Sequence, residues 1–309
     1  MDRLISAFFI YIMIFLFGMT VMKIGFRAMG DEKIRTIIQK STSSPLKGLL
    51  IGTLLTAILQ SSSAVTVITV GLAAAGLIRF SNTIGVIIGA NIGTTFTGLL
   101  ATFSLGRIHI VLILIGFLLL FTRKSAIFCL GTFLIGLGCL FLSMDGFNTL
   151  SIPLRELAPV KYILTAANHS LWMALTSGAL FTAIIQSSSA TTMIAMGFLN
   201  NGFLTLLASI TIVIGANVGT CVTAILASIG SNWQARWVSY THLVFNIGGA
   251  LLALPFLKLS AGWLESLHLA PDTALAYSGI LFNAVSALLF LPFIDKYGRW
   301  VEKRAKGAR

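Results

Sequence analysis

Acidic residues are scarce in this chain: nine Asp and Glu among 309 residues, with four His and three Cys. Charged residues of both signs make up 10%, where a soluble domain carries about 25%. That poverty speaks against a soluble enzyme built on acid–base chemistry. Cys129, Cys139 and Cys221 lie inside apolar runs and have neither metal-ligand nor redox spacing. No transition-metal or thiol site is expected from them, only helix packing. The chain also has no Gly-Lys-Thr/Ser phosphate loop, which excludes an ATPase of that type.

What the chain has in quantity is apolar sequence: 57% hydrophobic residues and a mean hydropathy of +0.96. A spanning helix needs about 20 apolar residues, and many such runs are present, so an all-α polytopic membrane protein is expected. Leu4–Met22 is too long an apolar run for a signal peptide and no small-residue cleavage site follows it; it reads as the first span. The net charge of +12 would suggest nucleic acid in a soluble protein. Here it fits Lys and Arg holding helix ends on the cytoplasmic side, and no nucleic-acid partner is expected.

The sequence is written twice. Gln60-Ser61-Ser62-Ser63 recurs as Gln186-Ser187-Ser188-Ser189, and Gly89-Ala90-Asn91 as Gly215-Ala216-Asn217. Aligned without a gap, Gly52–Ala101 and Gly178–Ala227 are identical at 24 of 50 positions. The expected division is a first repeat over residues 1–124 with its core at 46–106, a second over 125–258 with its core at 171–232, and a last span with a basic tail over 259–309. Residues 23–47 carry six Lys/Arg, whereas the matching 145–170 carries only Arg155 and Lys161. By the positive-inside rule the two halves face opposite ways. That predicts inverted-topology repeats, the architecture of secondary transporters, with the C-terminus cytoplasmic and the N-terminus outside.

Each serine tetrad interrupts what would otherwise be one long apolar helix. The expected form is a re-entrant hairpin or a broken helix, tolerated at membrane depth only against protein or a cavity. The spacing of Gly85, Gly89 and Gly93 permits close helix approach and local unwinding around Asn91. Serine hydroxyls and the Gln amide both donate and accept hydrogen bonds. Their oxygens suit a hard cation such as Na⁺, while hydroxyls and helix N-terminal N–H groups suit an oxyanion. Two inverted halves would bring two helix N-termini to one anion without a buried Arg or Lys. Asn91 and Thr94, repeated as Asn217 and Thr220, with Thr66 and Thr192 after the tetrads, could complete cation sites. A lone membrane Ser or Thr usually bonds its own helix carbonyl; a repeated tetrad with a repeated Asn is more than that. Catalysis is not expected: His109, His169, His242 and His268 all fall outside the two cores, and no Gly-x-Ser-x-Gly surrounds a tetrad.

Paired Gln-Ser-Ser-Ser tetrads, each followed by Gly-Ala-Asn-[Ile/Val]-Gly-Thr, strongly resemble the sodium/phosphate cotransporter family, over roughly Leu4 to Leu257. The resemblance implies Na⁺-coupled symport of inorganic phosphate by alternating access, in a cell membrane, with no organic cofactor. It implies phosphate binding by Gln60, Ser61, Ser62, Ser63, Gln186, Ser187, Ser188 and Ser189. Thr66 and Thr192 look like the family's cation-binding threonines; with Gln60, Ser63, Gln186 and Ser189 of the tetrads, and Asn91, Thr94, Asn217 and Thr220 from the reading of the residues above, they make up the expected cation set. His242-x-x-x-Asn246 is similar to a stretch after the family's second repeat. Electrogenic vertebrate members carry an acidic residue shortly after the first Asn-Ile-Gly-Thr; Ala101–Arg107 has none here, so the Na⁺ stoichiometry stays open. Open too are another oxyanion, export, a passive channel or sensor, and a homodimer.

Overall fold

The computed structural model describes residues 2–27, 31–103 and 107–307, with side chains at 26–33 and 305–307 excepted. Among the positions read above, Ser104–Gly106, Arg309 and the side chains of Arg27, Lys33 and Lys306 lie outside the described residues. Every regular element among them is helical. In order these are α1 (Asp2–Arg27), α2 (Asp31–Ser41), α3 (Pro45–Leu59), α4 (Ser62–Ala74), α5 (Phe80–Ala101) and α6 (Ile108–Leu119), then α7 (Ser125–Arg155), α8 (Ala158–His169), α9 (Leu171–Ile185), α10 (Ser188–Asn200), α11 (Leu206–Ser228) and α12 (Trp233–Ala253). α13 (Leu257–Ser266), α14 (Pro271–Phe290) and α15 (Ile294–Gly307) complete the chain. Among the described residues, six stretches are long and apolar enough to cross a membrane: Asp2–Gly25, Phe80–Ala101, Ser125–Arg155, Leu206–Ser228, Trp233–Ser266 and Pro271–Arg304.

The repeated sequence produces repeated local structure, cap for cap. Ser44 opens α3 by accepting from Lys47 N, and Ser170 opens α9 by accepting from Met173 N. Serine suits this position because its oxygen satisfies an N–H that the first turn leaves unpaired. Gln60 and Gln186 then end α3 and α9 in the left-handed region, at φ 51° and 61°. That conformation costs a non-glycine residue roughly 1–2 kcal/mol and turns the chain sharply. Ser61 and Ser187 follow as N-caps of α4 and α10, each accepting from the N–H three residues on at 3.2 Å.

The glycine stripe decides how these pieces stack. A Cβ on Gly85 or Gly89 would stand 2.1 or 2.0 Å from the carbonyl oxygens of Pro45 and Leu49. Both partners advance by four residues together, so α3 and α5 lie parallel with their backbones touching. Gly215 meets Leu175 O at 2.0 Å and Gly219 meets Ala179 O at 2.3 Å in the same way, so α9 and α11 are parallel too. The chain must therefore return to its starting end between α3 and α5. Only residues 75–79 join α4 to α5, a reach of at most about 18 Å, so α4 makes the return. α3–α4 and α9–α10 are thus helical hairpins bent at the tetrads. The expected unwinding around Asn91 is not found. α5 runs helically from Phe80 to Ala101, because Gly85, Gly89 and Gly93 are consumed by contact with α3 and leave no slack.

α1 lies along α7, where Gly18 abuts Gly136, and α6 packs on the other side of α7 through Gly116 and Gly131. The hairpins, α5 and α11 pack with α12 and α14: α12 touches α4, α5 and α11, and α14 touches α10, α5 and α11.

Candidate functional site

The two tetrads occupy matching places in matching hairpins, but their side chains differ. Gln60 is buried, 4% exposed. Its Oε1 accepts from Thr97 Oγ1 at 2.8 Å and its Nε2 donates to Ala57 O. Gln186 is exposed. Its counterpart to Thr97 is Thr223, whose Oγ1 is buried and has no hydrogen-bond partner among the described residues. An orphaned buried hydroxyl costs about 1–3 kcal/mol; the donor that Gln60 satisfies in the first half is unmet in the second.

At each break the helix N-terminus is primed for an anion. The first intrahelical bonds run from Val65 N to Ser61 O and from Thr191 N to Ser187 O, and the serine caps take only the N–H of Ala64 and Ala190. The N–H groups of residues 62, 63, 188 and 189 precede those bonds and sit at the positive end of the helix dipole.

The tetrads open onto different cavities. Ser61 and Ser63 line one of about 390 Å³, bounded also by Lys23, Arg35 and Ile34. It is roomy, and two basic side chains flank it. Ser188 and Ser189 line a cavity of about 30 Å³ with Thr192, Asn217, Asn283 and, from the first half, Thr94. That is room for one water or one small ion. Here the halves meet: Gly98 on α5 lies against Thr192 on α10.

The expected cation residues are placed unevenly. Thr94, Ser189, Thr192 and Asn217 share the small cavity. The hydroxyls of Thr94, Thr192 and Thr220 each donate to the carbonyl four residues back at 2.9 Å, which leaves their lone pairs as acceptors. Thr66 is buried on α4. Asn91 is committed elsewhere: its Oδ1 lies 3.1 Å from His242 Nε2, and its Nδ2 donates to Asn246 Oδ1 at 2.9 Å. Asn246 in turn donates to His242 O and to Cys221 Sγ. This buried network ties α5 of the first half to α11 and α12 of the second.

Sequence reading passed over Thr97 and Thr223, which lie 37 residues beyond their glutamines. The signal was available, since Thr occupies both positions in the gap-free alignment. It also passed over Asn283, which accepts from Asn217 Nδ2 at 3.3 Å.

The profile of the Na⁺/Pi-cotransporter family matches residues 14–149 and 151–266. The chain belongs to this family. Among curated proteins it is 38% identical over 271 residues to the "Uncharacterized protein YqeW" of Bacillus subtilis, covering 88% of each chain. It is 28% identical over 253 residues to the "Putative inorganic phosphate export protein YjbB" of Escherichia coli, covering 82% of this chain and 47% of that one. A shorter stretch of 89 residues is 34% identical to the "Sodium-dependent phosphate transport protein 2A" of Rattus norvegicus, 28% of this chain and 14% of that one. No solved structure matches. Transporter, sodium, phosphate and transmembrane helices thus describe the family of this chain.

Proposed function

We propose that this chain carries inorganic phosphate across a cell membrane in symport with Na⁺, by alternating access. The observation that carries the reading is the pair of serine-tetrad hairpins in unlike states, Gln60 latched to Thr97 and Gln186 released from Thr223. A two-state element present twice, once in each state, is what an alternating mechanism needs.

In this reading the halves are inverted repeats, with cores over 46–106 and 171–232, and the hairpins are re-entrant. Residues 23–47 and the tail face the cytoplasm; Arg79, in the α4–α5 turn, joins them. The N-terminus lies outside. α6, at 12 residues, crosses where the bilayer thins around it. An exposed Gln186 at membrane depth needs water, so the second tip faces an aqueous path.

The anion takes the roomier cavity. Ser61, Ser62 and Ser63 and the N-terminus of α4 receive phosphate, with Gln60 closing the tip, and Lys23 and Arg35 flank this cavity on the cytoplasmic side, where the anion leaves. Ser187, Ser188, Ser189 and Gln186 complete the site when the second hairpin closes on it. Na⁺ takes the small cavity that Thr94, Ser189, Thr192 and Asn217 share. Its charge favours the anion and couples the two fluxes. Each charge moved inward through 100 mV releases about 2.3 kcal/mol.

Radiolabelled phosphate uptake into proteoliposomes tests this. Concentrative uptake under an inward Na⁺ gradient, abolished when K⁺ replaces Na⁺, is the expected result. Uptake indifferent to Na⁺ overturns the coupling. The export relative favours a second reading, outward phosphate movement; vesicles preloaded with phosphate under an inward Na⁺ gradient distinguish it by net efflux, where the uptake reading predicts net accumulation.

A further inference from the structure

A second duplication lies beyond the tetrad repeats. Tyr240–Glu265 and Tyr277–Glu302 align without a gap at an offset of 37 and are identical at 11 of 26 positions. The matches include Phe245-Asn246 with Phe282-Asn283, Leu254-Pro255-Phe256 with Leu291-Pro292-Phe293, and Trp263 with Trp300. Local structure repeats with them. α12 and α14 each run into a 3₁₀ turn of Leu-Pro-Phe, followed by α13 and α15. Burial repeats as well: Phe256 and Phe293 are both 63% exposed, and Leu264 and Val301 are both at most 1%.

Packing follows the same rule. α12 touches α4, and α14 touches α10; α13 sits on α11, and α15 on α5. Exchanging the two tetrad hairpins and their glycine helices therefore exchanges α12–α13 with α14–α15. α12 pairs with α14 rather than with α6. Each of the pair holds the core asparagine of a glycine helix: Asn246 takes Asn91 at 2.9 Å, and Asn283 takes Asn217 at 3.3 Å.

The two clamps differ at one position. His242 on α12 corresponds to Gly279 on α14. At the first clamp the His242 ring occupies the space, and its Nε2 meets the carbonyl oxygen of Asn91. At the second clamp Gly279 leaves the small cavity open beside Asn217, Asn283, Thr94, Ser189 and Thr192. Asn217 spends its amide N–H on Asn283, which leaves its carbonyl oxygen for the cavity. Asn283 donates to Gly279 O and keeps a carbonyl lone pair. Seven of the lining residues carry side-chain oxygens, Val213, Leu275 and Ala276 make much of the remaining wall apolar, and none is charged; neutral oxygens around so small a space suit a dehydrated monovalent hard cation.

We infer that Gly279 and Asn283 of α14 make the Na⁺ site of the second half, and that His242 fills its mirror image in the first half with an N–H donor in place of a cation. The two halves then bind unlike partners: one cation at the α14 clamp, none at the α12 clamp. This rests on the Na⁺-coupled reading above.

The test is thermal unfolding of the purified protein titrated with NaCl against choline chloride, with and without phosphate. Na⁺ is expected to stabilise the unsubstituted protein saturably. Asn283→Ala should raise the half-saturating Na⁺ by about tenfold or more, the loss of one buried ligand to a charge, while phosphate affinity at saturating Na⁺ stays within about twofold. Gly279→Ala is the second variant. Its Cβ lands at ordinary contact distance, 3.7 Å from Thr95 Cγ2, so it folds and only narrows the cavity; the half-saturating Na⁺ should rise again. Normal Na⁺ stabilisation in both variants overturns the site and leaves symport standing. No Na⁺ stabilisation of the unsubstituted protein overturns the sodium reading and the site together.

Discussion

The two tetrad hairpins share a backbone and differ in what their side chains hold. Gln60 is buried against Thr97 at 2.8 Å, whereas Gln186 is exposed and Thr223 Oγ1 is left without a partner. A smaller difference runs the other way. Thr182 Oγ1 bonds Thr191 Oγ1 at 2.7 Å, but its counterpart Thr56 is orphaned, because Val65 stands where the second half has Thr191. The first difference occurs between identical residues, and the proposed alternation reads it as a difference of state; the second occurs between different residues and belongs to sequence. Separating the two kinds says which contacts the proposed alternation exchanges and which it leaves fixed.

The largest expected effect tests what the halves share. Gly89→Ala and Gly215→Ala each drive a Cβ to 2.0 Å from a backbone carbonyl oxygen. Both should cost about 3 kcal/mol or more, since close-packed backbones cannot yield, and both should cut the yield of folded protein to a similar degree on size-exclusion chromatography. Unequal outcomes would break the equivalence of the two helix pairs.

Next comes the latch. Gln60→Ala removes a bonded side chain and leaves Thr97 unpaired, so thermal unfolding should show a loss of about 1–3 kcal/mol. Gln186→Ala removes a side chain with no such partner and should leave stability unchanged, yet phosphate uptake should fall in both. Equal destabilisation by the two would mean that the halves do not rest in different states.

The threonines sharpen this. Thr97→Val should destabilise by about 1 kcal/mol, while Thr223→Val, which replaces an orphaned hydroxyl, should be neutral or stabilising in the resting protein. Turnover, measured as initial uptake rate, should fall in the Thr223 variant, which cannot close its latch. The smallest effect concerns the fixed difference. Val65→Thr gives Thr56 the partner that Thr182 has in Thr191, and should raise stability by up to about 1 kcal/mol in the same unfolding assay.

Much of this was legible in the sequence. The tetrads mark the hairpin tips because a polar run cannot continue an apolar helix, and Gly85, Gly89 and Gly93 announce a close helix contact, though not that α3 makes it. The topology of the hairpins was left open between bend and break, since charge counts fix only net crossings. The return of α4 follows instead from the parallel packing of α3 on α5. Unwinding around Asn91 was a misreading: the same glycines that loosen a lone helix are locked when another backbone fills them. The unequal threonines were hidden because an alignment records that Thr97 and Thr223 are the same residue, not that one is bonded to its glutamine and the other is not. The pairing of α12 with α14 was hidden because an offset of 37 does not stand out beside an offset of 126.

The central claim is that the two latches alternate, and it can be tested by cross-linking. In a background with Cys129, Cys139 and Cys221 replaced, cysteine pairs are placed at Gln60/Thr97 and at Gln186/Thr223 in reconstituted protein and treated with Hg²⁺. The account predicts that the first pair bridges in the resting protein, while the second bridges only when Na⁺ and phosphate are both supplied. A second pair that bridges as fast at rest, or never bridges under turnover, would contradict it.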